Sequence, residues 1–147
     1  MGENTAMVAR RSGRIVAGRV LAAVAAGSAL VAAAGALPGV LAADRADRIT
    51  LTWWMYGLVV FAALFGLLAV RPLGTRWLWE IVLANKLALA VTAAAYLAAD
   101  SATDAGTIVV TDGGLFVVLL AGYLCVRGWR AGRPPVTRWI ERRVAVG

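Results

Sequence analysis

Four apolar stretches divide this chain, and its arginines sit almost entirely in every second gap between them. The stretches are Val20–Ala42, Thr52–Val70, Ile81–Ala99 and Gly113–Val126; Gly113-Gly114 favours a break just before the last, or the β-prone Thr107–Thr111 is its early turn and Asp112 lies in the membrane's outer third. A bilayer hydrocarbon core of ~30 Å needs about 20 helical residues at 1.5 Å rise each. The first three stretches meet that length, so the pattern predicts an all-α fold: a four-helix transmembrane bundle with short loops. The arginine asymmetry sets its orientation. The N-terminal tail, the second loop and the C-terminal tail together hold twelve arginines, counting Arg19, whereas the first loop holds two and the third none. The positive-inside rule then places both termini in the cytoplasm.

Composition agrees with this plan. The chain is 61% hydrophobic, with a mean hydropathy of +0.78. The net charge of +7 would point to nucleic acid in a soluble protein. Here the positive charge flanks the spans, so anionic lipid headgroups are the expected partner and nucleic acid is not. Lys86 is the single lysine among 15 basic residues, and alanine and valine abound. That bias suggests a GC-rich bacterial genome and hence the bacterial cytoplasmic membrane. The first stretch follows Arg10, Arg11 and Arg14 as a signal peptide would, with Ala42-Ala43 as a passable cleavage site. Its apolar run exceeds the usual h-region of about 7–15 residues, which favours a retained span.

Three regions are expected. Residues 1–13 form a disordered cytosolic tail, 14–130 the membrane domain and 131–147 a basic cytosolic tail. In the last, Val136, Trp139, Ile140 and Val144 fall on one helical face against Arg138, Glu141 and Arg142. This is the pattern of a short amphipathic helix lying on headgroups, with a frayed tail as the alternative. Trp53, Trp54, Trp77, Trp79, Trp129 and Trp139 cluster at span edges and are assigned to the lipid interface. In the first span Ala23, Gly27, Val31, Gly35 and Gly39 recur every four residues. Such a ridge admits another backbone, so Gly27, Gly35 and Gly39 are assigned to helix packing, inside the bundle or between copies.

The third span alone carries strongly polar groups well inside it. Lys86 lies about 13 Å below Trp77, close to the midplane. A charged residue at a helix centre costs roughly 2.5–3.5 kcal/mol on the insertion scale and is a site hypothesis by default. Glu80 is about 120° away around the helix and is better placed for Arg76, four residues earlier. Asn85, Thr92 and Tyr96 form a stripe at i, i+7 and i+11, suited to interhelical hydrogen bonds or a polar cavity. Tyr123, on the inner half of the fourth span, is expected to meet Lys86, whereas Asp112 is placed toward the outer face and out of reach. The candidate intramembrane site is therefore Lys86, Asn85, Glu80, Thr92, Tyr96 and Tyr123. Lys86 is read as neutralising an anionic substrate or a quinone oxygen, or as anchoring a partner's acidic residue, with snorkelling toward the cytosolic headgroups as the bland alternative.

Several chemistries lack their residues. Cys125 is the single cysteine and there is no histidine, so a disulfide, a zinc or haem ligand set and a nucleophilic triad in its usual form are not expected. Cys125 reads as a packing residue, or as a thiol favoured by Arg127. No phosphate-binding loop or dinucleotide fingerprint is present. No catalytic residue and no metal site are assigned.

The layout resembles the DoxX-like group of small bacterial membrane proteins. It shares four short spans, cytosolic ends and a third segment reading Trp77-Leu78-Trp79-Glu80 and then Asn85-Lys86-Leu87. The resemblance covers Arg14 to Arg130 as architecture. It implies association with redox complexes and quinone-linked oxidation, with a quinone as the cofactor. The leading expectation is non-enzymatic: a small integral membrane subunit packing against another membrane protein or a second copy. A quinone-binding redox subunit is the alternative. A small-molecule or ion transporter is a third, disfavoured by the lack of internal repeats and broken central helices.

Overall fold

The computed structural model describes residues 2–132. The described chain is all-helical: α1 (Gly2–Ala42), α2 (Arg48–Val70), α3 (Leu78–Ala98) and α4 (Ala105–Val126), followed by a 3-10 turn at Gly128–Arg130. All four helices are long and apolar enough to cross a membrane, as expected of a small multi-pass membrane protein. The amphipathic helix expected from Val136 onward, and Trp139 with it, lies outside the described residues.

Two boundaries differ from the sequence reading. Helix α1 starts at Gly2 and runs through residues expected to be disordered. Extending an existing helix adds one hydrogen bond per residue with no new nucleus, and the Ala, Met and Arg of this segment favour it. Helix α4 starts at Ala105, eight residues before the Gly113-Gly114 pair read as a break. In an apolar medium a freed backbone group has no water to bond, so glycines that would fray a soluble helix stay inside it.

Loop chemistry sets the turns. Asp44 Oδ1 accepts the backbone N–H groups of Ala46 (3.0 Å) and Asp47 (3.1 Å), a local turn between α1 and α2. Between α2 and α3, Trp77 adopts a left-handed conformation (φ 67°) just before the helix.

Contacts show that neighbours in sequence run antiparallel. Arg19 Nε, early in the apolar part of α1, donates to the carbonyl oxygen of Ala69 at the end of α2 (2.8 Å). Gly18 of α1 meets Gly122 and Val126 at the end of α4. Helix α1 packs on α2 and α4, and α3 packs mainly on α4. α2 and α3 approach closely at few points. Phe61 and Phe65 of α2 put their rings toward Lys86 of α3 there.

Small residues decide where backbones touch. The buried face of α1 is Gly18, Ala22, Ala25, Ala29 and Ala33. At Gly18 an added Cβ would overlap Val126 Cγ1 and sit 2.9 Å from the Gly122 carbonyl oxygen. Gly122 in turn lies under the Trp79 ring, 3.2 Å from its Cη2. Inside the bundle α1 packs through this crossing and not through the expected ridge. Gly27, Gly35 and Gly39 are exposed and a Cβ at any of them meets nothing within 4 Å. Alanine and glycine occur on every side of α1, so a four-residue repeat could not select the face.

The large buried side chains, Trp79, Phe65, Leu68, Leu119 and Val82, gather toward the end of the bundle where the α2–α3 loop meets the end of α4. Toward the opposite end the buried positions are Ala29, Ala33, Ala93 and Ala105.

Candidate functional site

Helix α3 organises the polar interior. Its buried residues, Leu78, Trp79, Val82, Leu83, Lys86 and Ala93, repeat at three- and four-residue steps and define one inward stripe. Lys86 belongs to that stripe and is 4% exposed, the one charged residue in the described core. Its Nζ donates to Asp112 Oδ1 at 2.5 Å. It also lies 4.1 Å from the centre of the Phe61 ring and 5.9 Å from that of Phe65. The ammonium is thus held by a carboxylate from α4 and by aromatic faces from α2, an arrangement that neutralises it without water.

This pair overturns the expected depths. Asp112 lies ~10 Å beyond the start of α4 at Ala105, and Lys86 ~12 Å beyond the start of α3 at Leu78. In antiparallel helices ~30 Å long those levels differ by ~8 Å. The four-carbon lysine stem and local tilt close that gap. Placing the start of α4 at Gly113 had left Asp112 in a loop. Beside the pair the helices come close, with a Cβ at Gly113 falling 3.9 Å from Ala90 Cβ.

Tyr123 meets Glu80, not Lys86. Its hydroxyl donates to Glu80 Oε1 at 3.0 Å. Glu80 is two residues into α3 and Tyr123 three residues from the end of α4, so the two share a level. The expected Glu80–Arg76 pair is absent among the described residues, because Arg76 precedes the helix and the left-handed Trp77 turns the chain between them. The Arg76 guanidinium instead lies 4.9 Å from the Trp77 ring centre. Glu80 Oε2 is buried and has no hydrogen-bond partner among the described residues.

Trp79 is corrected from interface to core. It is 0% exposed and its indole N–H donates to the Pro72 carbonyl oxygen at 2.7 Å. Its ring lies 6.1 Å from that of Tyr123, which meets Trp129 edge-on at 5.8 Å. Two residues along a helix turn the side chain by about 200°, so Trp77 and Trp79 cannot share a face. Trp53, Trp54, Trp77 and Trp129 are exposed.

The stripe of Asn85, Thr92 and Tyr96 is exposed as well and joins neither pair. The six expected polar residues therefore separate into an interior charge pair completed by Asp112, an interior Glu80–Tyr123 pair and an outward face. Asp112, Phe61, Gly18 and Gly122 were missed. A hint for Asp112 was available, since an intramembrane lysine calls for an acid and Asp112 directly abuts the fourth apolar stretch.

Comparison with protein-family models, with curated proteins and with solved structures finds no match to this chain. Among the described residues no group of three or more His, Cys, Asp or Glu side chains comes together that could hold a metal. Cys125 is a free, half-buried thiol.

Proposed function

We propose that this chain is a non-catalytic membrane subunit that works by lateral assembly, with its termini in the cytoplasm as the arginine distribution implies. The observation that carries the reading is Asn85. It stands beside Lys86 near the middle of α3, yet it is exposed and its side chain makes no hydrogen bond among the described residues. A carboxamide facing hydrocarbon is costly, and in membranes it is satisfied by a second helix. Thr92 and Tyr96 extend the same outward face. Lys86 does not serve the contact, because Asp112 already neutralises it. That commitment also weakens the quinone-binding alternative, which would draw on Lys86 as donor to a quinone oxygen.

The test is the mass of the purified full chain in mild detergent, for the wild type and Asn85→Leu. The expected result is a complex of defined stoichiometry that Asn85→Leu dissociates, with the helical content of each chain unchanged. A wild-type protein that runs as a single chain and carries no stoichiometric partner overturns the reading.

A further inference from the structure

A cleft of about 220 Å³ opens at the end of the bundle where the α2–α3 loop meets the end of α4. It is lined by Arg76, Trp77 and Glu80 on one side and by Gly128, Trp129 and the Ala131-Gly132 turn on the other. The walls are fixed. Gly128 allows the Tyr123 ring to lie against its backbone, where any side chain would overlap. Gly132 adopts φ 67° and its N–H donates to the Leu73 carbonyl oxygen at 3.1 Å, tying the chain after α4 to the loop before α3.

Two opposite charges line this cleft without pairing. Arg76 rests over Trp77, and Glu80 accepts from Tyr123 through Oε1 only. Glu80 Oε2 is buried with no donor among the described residues. A buried carboxylate oxygen left unbonded is costly and marks a place where a donor is missing. Glu80 lines the cleft, and the terminal torsion of glutamate is broad, so its carboxylate can turn toward a donor placed there.

We propose that this cleft binds the headgroup of a zwitterionic phospholipid bearing a primary ammonium, a phosphoethanolamine lipid. Arg76 takes the phosphate, Glu80 Oε2 accepts from the ammonium, and Trp77 and Trp129 flank the cation. The level supports a lipid source. The cleft lies at the end of helices that span, between exposed tryptophans of the kind that sit among headgroups. The missing donor selects the headgroup. A trimethylammonium group fits between aromatic rings but has no N–H for Glu80, and a glycerol headgroup offers Glu80 a neutral hydroxyl with no cation for the carboxylate or the rings. The inference does not depend on lateral assembly.

The experiment is native mass spectrometry of the full chain equilibrated with equal amounts of phosphatidylethanolamine, phosphatidylcholine and phosphatidylglycerol. Retention of phosphatidylethanolamine about tenfold over the other two is expected, equivalent to ~1.4 kcal/mol. Glu80→Gln, whose amide oxygen can still accept from Tyr123, should erase the preference over phosphatidylcholine. Arg76→Gln should weaken both phosphate-bearing zwitterions alike. Equal retention of the three lipids by the wild type, or an unchanged preference in Glu80→Gln, overturns the proposal. Displacement of the lipid by excess soluble phosphoethanolamine would assign the cleft to the free zwitterion and overturn the lipid source.

Discussion

Replacing Asp112 by leucine should destabilise the bundle by about 3–5 kcal/mol. The charges of Lys86 and Asp112 are 2.5 Å apart, with side chains 5% and 15% exposed. At an effective dielectric of about 20 their attraction is ~6–7 kcal/mol. Desolvation costs several kcal/mol per ion, so the pair gains little over an apolar pair of similar size. Removing one partner forfeits the attraction and keeps the other ion's desolvation, a loss of about 3–5 kcal/mol. The loss should be unequal. Asp112→Leu leaves the more enclosed ion, Lys86, with only the Phe61 and Phe65 rings, whereas Lys86→Met leaves the more accessible Asp112. The double variant Lys86→Met/Asp112→Leu should return to within ~1 kcal/mol of the wild type. Unfolding by denaturing detergent in mixed micelles measures all four proteins and gives the coupling directly. Costs that simply add within ~0.5 kcal/mol, or an Asp112→Leu loss below ~1 kcal/mol, would refute the reasoning.

Two further outcomes follow from packing and charge. Gly18→Val should cost about 1–3 kcal/mol by forcing α1 from α4, while Gly27→Ala, which meets open space, should be neutral or stabilising by ~0.5–1 kcal/mol; the same detergent titration reads both. In intact cells, cysteines placed at Asp47 and Asp104 should react with an impermeant maleimide and one at Thr75 should not, and labelling of the Thr75 variant would reverse the assigned topology.

The helices themselves were legible because an apolar run of membrane length has few other readings. Ends were harder to read. The Thr107–Thr111 segment and Gly113-Gly114 carry strand and turn signals learned in water, and those signals weaken where every backbone group needs an internal bond. With the start left open, Asp112 was kept at the outer edge, away from the residue the sequence most clearly singled out. Faces were harder still. Trp77 and Trp79 look alike beside a loop, but only the second points inward, a distinction that needs the helix phase. Glu80 illustrates the same limit: the i,i+4 rule that joined it to Arg76 applies inside a helix, and α3 begins at Leu78.

The joining of Lys86 to Asp112 also bears on how the chain enters a membrane during synthesis. Entering alone, α3 carries a bare ammonium and α4 a bare carboxylate, each an obstacle of roughly 2.5–3.5 kcal/mol on the insertion scale. Entering together as an antiparallel hairpin, the two helices cancel their charges before either meets lipid. The short connection between them, residues 99–104, makes such joint entry geometrically simple. The ion pair thus makes the second half of the chain a unit of biogenesis. A nascent protein halted after α3 would hold a helix whose counter-charge has not yet been made.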